Sequence, residues 1–306
     1  MKKIAFIING KTKSHRRVIK KIGKQFSKGY ILKFFITQPD KNGSQLAINA
    51  LKLDFTHLIC VGGDGTLNEV ANGIMESRKF FSESKFNAIR IGVLPYGTGN
   101  DFAKSINSSF DLPILKNRID TDQFKQLDLG LAKFKDLSGN DAARYFINIT
   151  DVGLGGLVVK RVNSSTKLFG SFIAYQWAII RSLVTYRHQT IKSSADTTIY
   201  TGKILNYIIA NGAYFGSGLA IAPDAKPDDG IFSLVIVGRV SLFFYLKSLR
   251  AIKNGLHIQH PEVFYQQAKE INIESNVPHP IDMDGEYVGN TPLKIKMIEK
   301  AVKFLC

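Results

Sequence analysis

The residues at 62–65, Gly-Gly-Asp-Gly, have the types and the spacing of a phosphate-binding turn. They follow an apolar run at 57–61 that predicts a buried strand, and Thr66 and Glu69 have the spacing of a capping box, which predicts that a helix begins at Thr66. Glycines let backbone N–H groups approach a ligand, and a helix N-terminus carries a partial positive charge. The turn therefore predicts a phosphate site, with the Asp64 carboxylate placed to bind or orient Mg²⁺. A strand-to-helix turn without a ligand is the alternative.

A second turn of the same kind follows the next predicted strand. Residues 97–99, Gly-Thr-Gly, come after an apolar segment at 89–94, and either Asn100 or Asp101 can cap the helix that follows. Both turns stand at the carboxyl ends of strands, where the ligands of open α/β sheets bind. The pair of turns therefore predicts a nucleotide site.

The elements that must position these turns alternate between strand and helix. The first third of the chain contains strand-like segments with helical segments between them: strands at 4–9, 30–37, 57–61 and 90–94, and helices at 14–26, 44–51 and 66–76. Alternation of this kind predicts a parallel sheet with right-handed crossovers.

From about residue 125 the pattern changes to strand-like segments separated by turn residues. These segments lie at 127–134, 145–151, 197–200, 204–211, 231–237, 270–274 and 293–297. The spacing favours an antiparallel sandwich or barrel. We therefore predict two domains, 1–125 and 126–306, with a return of the last residues to the first domain left open. Helical stretches at 168–186 and 240–256 either cover the sheet, or part of one lines an acyl-chain cleft or enters a membrane interface.

Two longer sequence blocks resemble a known family. GGDGTLNEV at 62–70 and LPYGTGNDFA at 94–103 resemble the catalytic domain of the diacylglycerol kinases, in the bacterial lipid kinase branch that is related to the sphingosine kinases. Further blocks match in order and spacing, at 128–130, 146–148, 153–155, 222–230 and 284–286. The segment 9–13 departs from the family pattern, because it lacks the proline that usually follows the first strand.

The resemblance implies a fold and a set of nucleotide contacts. The implied fold is an α/β N-terminal domain with a parallel sheet, like those of NAD kinases and diacylglycerol kinases, and a C-terminal, mainly antiparallel β-sandwich domain. ATP with Mg²⁺ would bind the first domain through Asn9, Thr37, Gly62, Gly63, Asp64, Gly65, Thr66, Leu67, Asn68, Gly97 and Thr98. For Thr37, the capping of a turn at a strand end is an equal alternative.

The resemblance also implies the catalytic residues. Glu286 matches the family's general base, which would remove the proton of a lipid hydroxyl, and Asp64 would act through Mg²⁺. Taken without the resemblance, the segment 284–286, Asp-Gly-Glu, is most simply a turn between two strands.

A second magnesium site is implied in the C-terminal domain. Asp229 matches a metal-binding carboxylate of the bacterial members, with the backbone carbonyls of Lys226 and Ile231 as its companions. Asp224 or Asp228 takes the place of Asp229 if the alignment shifts.

Together these matches predict an ATP-dependent lipid kinase that transfers the γ-phosphate to a lipid hydroxyl, with diacylglycerol or a related lipid as the acceptor. A kinase of NAD or another soluble acceptor is one alternative, because it shares the first glycine turn. A nucleotide-binding regulator that has lost catalysis is another. The second turn and the segment 284–286 favour the lipid kinase over the first alternative, and intact Asp64, Thr98 and Glu286 favour it over the second.

The composition is that of an ordinary globular protein, with 306 residues of which 44% are hydrophobic and 22% charged. Two cysteines imply no disulfide framework, and the histidines have no metal-site spacing. The longest apolar segment, 168–180, is shorter than the roughly 20 residues that span a membrane. With no signal-peptide core at the N-terminus, we expect a cytoplasmic protein.

The net charge of +16 is unevenly distributed. Residues 1–39 contain eleven Lys or Arg residues and no acid. Such a field attracts anionic partners, so we expect peripheral contact with an anionic membrane in addition to the lipid substrate. A nucleic-acid partner is not expected, because no recognition motif is found. A homodimer is left open.

Overall fold

The computed structural model describes residues 1–12, 14–39, 41–164 and 171–306. Within it the chain forms two compact units. Unit 1 consists of residues 1–128 and 299–306, and unit 2 consists of residues 129–298.

Unit 1 is built on a parallel sheet. Its strands are β1 (Lys2–Ile8), β2 (Tyr30–Ile36), β3 (His57–Gly62) and β4 (Arg90–Pro95), and they pair in the order β2-β1-β3-β4. Near the C-terminus of the chain, Phe304 pairs with Ile91 in the parallel sense. Every residue of β3 is buried, as expected for a parallel strand that is covered on both faces.

The described part of unit 1 also contains the helices α1 (His15–Gln25), α2 (Gly43–Lys52), α3 (Asp64–Ser77), α4 (Glu83–Asn87), α5 (Asp101–Ser105) and α6 (Leu112–Asp120). The core between sheet and helices includes Phe6, whose ring contacts Phe26 and Phe34. The predicted helices at 14–26 and 44–51 end within two residues of α1 and α2. The short helix α4 and the helix α6 were not predicted.

Unit 2 is mainly antiparallel. Its strands are β5 (Lys125–Asp136, which begins in unit 1), β6 (Asp141–Phe146), β7 (Ile149–Gly153), β8 (Gln189–Ala195), β9 (Thr198–Ile204), β10 (Asn206–Ala210), β11 (Phe232–Val237), β12 (Val263–Ala268), β13 (Glu270–Ser275), β14 (Pro280–Met283) and β15 (Glu286–Phe304, which ends in unit 1). One layer pairs in the order β12-β11-β10-β7-β14-β15, and the other places β13 beside β15 and β8 beside β13. The two layers enclose a shared core that includes Leu234, Ile281, Ile191 and Ile273. The predicted sandwich is confirmed.

The helices in the described residues of unit 2 are α7 (Leu154–Ser164), α8 (Ser171–Thr185) and α9 (Leu242–Lys253). The predicted helix at 240–256 corresponds to α9, and that at 168–186 to α8, although residues 168–170 lie outside the described residues. Helix α7 was not predicted.

Several predicted strands differ from those of the structure. The strand predicted at 145–151 was wrong, because β6 ends at Phe146 and β7 begins at Ile149. The intervening backbone turns toward the carboxylate of Asp284, which accepts a hydrogen bond from the amide of Asn148 at 3.0 Å. Strands β8, β12 and β14 were missed. Most residues of β8 are polar, and β14 is short and begins with a proline.

Candidate functional site

The two glycine turns of unit 1 lie side by side. In the parallel pair β3–β4, Gly62 is opposite Pro95, and the amide of Tyr96 donates a hydrogen bond of 2.9 Å to the carbonyl of Gly62. A Cβ atom on Gly97 would lie 2.4 Å from the Cα atom of Gly63, which is far inside van der Waals contact. The two turns therefore pack backbone against backbone, and this arrangement requires glycine at position 97.

Helix α3 begins inside the first glycine turn. It starts at Asp64, and the first amide that bonds within the helix is that of Leu67, which donates to the carbonyl of Gly63 at 3.1 Å. The amides of a helix's first turn have no acceptor within the helix, and together with the helix dipole they attract anions. The backbone amides of residues 64–66 are therefore suited to bind a phosphate group at the carboxyl edge of the sheet.

The predicted capping box at Thr66 and Glu69 was wrong. Since α3 starts two residues before Thr66, this side chain is not at the N-cap, and its Oγ1 accepts a hydrogen bond of 2.9 Å from Nδ2 of Asn9. The Glu69 carboxylate accepts a hydrogen bond of 2.7 Å from the amide of Gly43, at the start of α2. Both side chains thus form hydrogen bonds between α3 and neighbouring segments and do not cap the helix.

The Asp64 carboxylate connects the two turns. Its two oxygens accept hydrogen bonds from the amides of Asp101 and Phe102, each at 3.0 Å, at the start of α5. Burial, and next the charge of Asp101, raise the pKa of Asp64. A Cβ atom on Gly99 would lie 3.2 Å from an oxygen of Asp64 and 3.3 Å from one of Asp101, so the two carboxylates flank Gly99.

This donor set fits Mg²⁺. Magnesium in phosphoryl-transfer sites uses one or two protein carboxylates and completes its shell with phosphate oxygens and water. Asp64 and Asp101 supply two carboxylates beside the first glycine turn, and Asp101 also forms an ion pair of 2.9 Å with Lys104. Over the described parts of the chain, no three His, Cys, Asp or Glu side chains group together as a complete metal cage. Sequence reasoning missed Asp101 as a partner of Asp64.

Two further predicted contacts lie at the same edge of the sheet. The amide of Gly10 donates a hydrogen bond of 3.0 Å to Oγ1 of Thr37, and the amide of Asn9 donates one of 3.0 Å to the carbonyl of Val61. These bonds hold the ends of β1, β2 and β3 together. The structure thus places Asn9 and Thr37 at the ends of β1 and β2, on the same edge of the sheet as the glycine turns.

The remaining predicted nucleotide contacts differ in exposure. The side chains of Thr66, Leu67 and Asn68 are buried, and the amide of Leu67 already donates to the carbonyl of Gly63, so these three side chains are not placed to contact a ligand. By contrast, Gly97 and Thr98 are exposed. The amide of Gly97 donates a hydrogen bond of 2.9 Å to the side chain of Asn100, which closes the second turn.

In unit 2 the segment Asp284-Gly285 forms the two-residue turn between β14 and β15. Both residues have positive φ, 48° and 85°, which is the type I′ hairpin geometry. The Asp284 carboxylate accepts hydrogen bonds from the amides of Ile147, Asn148 and Ile149, at 2.8, 3.0 and 2.9 Å. Asp284 therefore anchors this turn to the connection between β6 and β7, a role that its local sequence does not indicate.

Glu286 follows this turn and is paired with Arg144 of β6. The distance from Oε2 of Glu286 to Nη1 of Arg144 is 2.7 Å, and the Glu286 side chain is 40% exposed. A solvent-accessible carboxylate held by a guanidinium group has a defined position from which it can reach a ligand. Arg144 was not predicted, because the pairing joins strands that are distant in sequence.

Two further carboxyl groups of unit 2 face each other in the interior. Asp151 of β7 and Asp282 of β14 are opposite residues in the antiparallel register, and both are fully buried. A Cβ atom on Gly155 would lie 2.1 Å from an oxygen of Asp151, so the first turn of α7 packs directly on the Asp151 carboxyl group. Burial raises the pKa of both groups, and for Asp282 the charge of Asp151 adds to this effect.

The predicted second metal site lies in an irregular segment before β11. Lys226 and Asp229 are exposed, and the Asp229 carboxylate accepts a hydrogen bond of 3.2 Å from the amide of Ile231. Of the alternative residues, Asp224 forms a hydrogen bond of 2.7 Å with Nε2 of His257. The magnesium site at these residues stays a prediction.

Unit 2 also contains an apolar cavity of about 140 Å³. Ile179 and Leu183 of α8 and Tyr245 and Ile252 of α9 form part of its wall, and Ile208 of β10 lines it from the sheet. Its lining is almost entirely apolar, which suits a hydrocarbon chain.

A parallel sheet with two packed glycine turns at its carboxyl edge, followed by an antiparallel sandwich, defines a nucleotide-dependent kinase of the NAD kinase-like fold. Residues 3–132 match the family model described as the diacylglycerol kinase catalytic domain, and residues 148–306 match the YegS C-terminal NAD kinase beta sandwich-like domain. The chain belongs to the diacylglycerol kinase family.

Similar proteins agree with this assignment. The chain is 30% identical to the diacylglycerol kinase of Staphylococcus carnosus, over 99% of this chain and 95% of that protein. It is 30% identical to the diacylglycerol kinase of Staphylococcus haemolyticus, over 90% of this chain and 78% of that protein. A crystal structure from Bacillus anthracis, provisionally described as a diacylglycerol kinase, has the same fold, with a TM-score of 0.75 and 21% identity over 99% of this chain and 97% of that one.

None of the helices in the described residues has the length and the hydrophobicity needed to cross a membrane.

Proposed function

We propose that this protein is an ATP-dependent lipid kinase that transfers the γ-phosphate of ATP to the hydroxyl group of diacylglycerol or a closely related lipid. The observation that carries the proposal is the close packing of Gly63 and Gly97, which sets two glycine turns beside the start of α3. The names of the similar staphylococcal proteins support diacylglycerol as the acceptor.

In this proposal the N-terminus of α3 binds the nucleotide phosphates. The amides of residues 64–66 donate to phosphate oxygens, and the exposed Gly97 and Thr98 line the other side of the phosphates. Asp64 and Asp101 are the residues that would hold Mg²⁺, and the bound ion would neutralise charge on the transferred phosphoryl group. Asp64 has a second task, because it also orients the start of α5 through its hydrogen bonds.

Glu286 acts as the general base for the lipid hydroxyl. A hydroxyl group has a pKa far above 7, so a positioned carboxylate assists by accepting its proton as the phosphoryl group is transferred. Of the three carboxylates at 282–286, Asp282 is fully buried and Asp284 is occupied by three backbone amides, whereas Glu286 is partly exposed. Arg144 is a positioning residue that holds the Glu286 carboxylate.

The apolar cavity between the sheet of unit 2 and helices α8 and α9 is proposed to hold part of an acyl chain. It is lined by residues such as Ile208, Leu183 and Tyr245, and this mostly apolar wall gives water few hydrogen-bonding partners. A lipid acceptor would gain from the burial of its hydrocarbon there, whereas NAD or another soluble acceptor would not.

A second Mg²⁺ at Asp229, with the carbonyls of Lys226 and Ile231, would stabilise the irregular segment before β11. Asp229 is exposed, which leaves its carboxylate accessible to an ion. The readout is thermal: added Mg²⁺ should raise the melting temperature of the wild type more than that of Asp229→Asn.

We also propose a cytoplasmic protein that contacts anionic membranes peripherally. The exposed basic residues of α1 support this, since Arg16, Arg17, Lys20, Lys21 and Lys24 all face solvent. A homodimer stays a prediction, for which light scattering of the purified protein is the test.

The test of the proposed function is a panel of acceptors. Labelled ATP and Mg²⁺ are supplied with diacylglycerol in mixed micelles, with a sphingoid base, with phosphatidylglycerol and with NAD⁺. We expect labelled diacylglycerol to predominate. Transfer to NAD⁺ alone would support the soluble-acceptor alternative, and ATP binding without transfer to any acceptor would support the regulator alternative.

A further inference from the structure

Helix α8 exposes apolar side chains on the face away from the cavity. Trp177 is 66% exposed and Val184 is 71% exposed, and the exposed Arg181 lies between them. The spacing 177, 181 and 184 places all three on one face of the helix. The opposite face packs inward, where Ile179 and Leu183 line the apolar cavity.

Helix α9 has the same division. Phe243 is 78% exposed and Leu246 is 46% exposed, and the exposed Lys247 and Arg250 continue the same face at three- and four-residue spacing. Residues on its other face, such as Ile252, line the same cavity. Since α8 and α9 contact each other and both cover this cavity, their outer faces form one surface, which we call the α8–α9 face. It comprises Trp177, Arg181, Val184, Phe243, Leu246, Lys247 and Arg250.

The charge of the α8–α9 face is entirely positive. The helices span residues 171–185 and 242–253, and neither segment contains Asp or Glu. Over the side chains that the structure describes, Arg181, Lys247 and Arg250 form no ion pair within 4.0 Å. Large exposed apolar groups beside unpaired basic ones are typical of a surface with a partner.

We propose that the α8–α9 face docks on an anionic lipid bilayer. The inference rests on the proposed lipid kinase function and names the surface that brings the enzyme to its substrate. The indole of Trp177 and the ring of Phe243 enter the headgroup boundary, where aromatic side chains are favoured, while Arg181, Lys247 and Arg250 contact lipid phosphates. Because α8 and α9 also wall the cavity, docking would place the cavity about one helix diameter, roughly 10 Å, from the bilayer.

A second copy of the chain is a poorer partner for this face. A two-fold dimer brings the same patch of both subunits together, so Lys247 and Arg250 of one copy would meet the basic residues of the other. Like charges in an interface oppose association, whereas an anionic leaflet is complementary to them. The proposed bilayer contact therefore satisfies both the apolar and the charged part of the surface.

The experiment measures co-sedimentation of the full chain with vesicles of phosphatidylcholine alone or with one-third phosphatidylglycerol. The variants are the double substitutions Trp177→Ala with Phe243→Ala and Lys247→Glu with Arg250→Glu. We expect each to lower the partition coefficient on anionic vesicles by about tenfold or more. Ile199→Ala removes a similarly exposed apolar side chain from β9, 69% exposed, and should leave partitioning within twofold.

A second control separates the two basic surfaces. Lys20→Glu with Lys21→Glu reverses two charges on α1, and the proposal expects a smaller loss than the α9 pair causes. If the α1 variant loses binding and both α8–α9 variants retain it, the membrane surface is α1 and the proposal is overturned. If the α8–α9 variants instead dissociate a dimer in light scattering without changing vesicle binding, the face is a subunit interface and the proposal is again overturned.

Activity distinguishes this proposal from the proposed function. On short-chain diacylglycerol dispersed in detergent, the α8–α9 variants should match the wild type, whereas on vesicles their turnover should fall together with binding. A wild type that binds anionic vesicles through this face but phosphorylates no lipid would contradict the proposed function alone. Equal losses on dispersed and vesicle substrate would mean that the variants damage the site, and would overturn the docking proposal.

Discussion

The carboxylate of Asp64 accepts a hydrogen bond of 3.0 Å from the backbone amide of Asp101, so that a side chain of the first glycine turn orients the helix that follows the second. The amide of Phe102 donates to the same carboxylate at 3.0 Å. This relationship gives Asp64 a structural task in addition to the magnesium role that the sequence predicts. The two tasks can be separated by substitution.

Asp64→Ala should lower the stability of unit 1 and abolish phosphoryl transfer. The substitution leaves two backbone amides without their acceptor, and each unsatisfied buried group costs about 1–3 kcal/mol. Asp64→Asn retains one acceptor oxygen but not the charge, so it should lose transfer with a smaller loss of stability. Urea denaturation and a transfer assay provide the two readouts. If the Asp64→Ala protein is as stable as the wild type, Asp64 does not have the structural role described above.

Gly97→Ala should weaken ATP binding by at least about tenfold. Its Cβ atom would lie 2.4 Å from Cα of Gly63, and relief of such overpacking costs about 1–3 kcal/mol and separates the turns. The matched control is Gly23→Ala in α1, where a Cβ atom would meet no atom within 4 Å. This control should bind ATP normally and gain up to about 1 kcal/mol of stability. Nucleotide titration by calorimetry decides the matter, and unchanged affinity in Gly97→Ala would place the nucleotide elsewhere.

Glu286→Gln should slow the chemical step by about 10²–10⁴-fold, since positioned bases contribute by that range. ATP affinity should stay near that of the wild type, because the carboxamide has almost the same shape. Arg144→Met should reduce the rate of the chemical step by a smaller factor, because the ion pair of 2.7 Å positions Glu286. Arg144→Lys should retain more of the wild-type rate than Arg144→Met does. Single-turnover phosphorylation measures these effects. If Glu286→Gln reacts within about threefold of the wild type, the base lies elsewhere.

The buried pair Asp151 and Asp282 should make unit 2 less stable as the pH rises. Burial raises the pKa of Asp151 to about 7, compared with about 4 in an unfolded chain. Between these pH values the folded state binds more protons than the unfolded state. The contribution of Asp151 to the free energy of unfolding is therefore greatest below pH 4 and is lost as the pH rises through 7. Asp151→Asn should flatten this dependence.

Urea denaturation of both proteins between pH 5 and pH 8 checks this prediction. His57 acts in the opposite direction, because burial lowers its pKa to about 4 and its contribution to stability grows as the pH rises toward the unfolded value near 6.5. His57 is present in both proteins, so its contribution cancels when the free energy of unfolding of Asp151→Asn is subtracted from that of the wild type. Parallel stability curves for the two proteins would show that the Asp151 carboxyl is ionised throughout.

The glycine turns and their strands could be predicted from the sequence because their signals are local. An apolar run followed by glycines at 62–65 specifies a strand and a tight turn within ten residues, and the second turn at 97–99 repeats the pattern. The predicted capping box at Thr66 was wrong because it, too, was based on local spacing alone. Its spacing is correct, but the helix starts earlier and the distant Asn9 and Gly43 take the two side chains.

The rest of the candidate site depends on contacts that sequence patterns do not encode. The bonds from Asp284 to the amides of 147–149 join residues more than 130 positions apart, and the pair Arg144 and Glu286 requires the strand order of the sandwich. The facing of Asp151 and Asp282 likewise follows from the register of β7 and β14. The resemblance indicated Glu286, but only the fold indicates which residues hold it.

Phosphorylation of diacylglycerol in mixed micelles, with labelled ATP and Mg²⁺, is the decisive measurement. We expect labelled lipid with the wild type, none after chelation of Mg²⁺, and none with Asp64→Asn even though that variant stays folded. Labelled lipid that forms equally well in the Asp64→Asn variant, or ATP that binds without transfer to diacylglycerol or any other lipid, would contradict the proposed function.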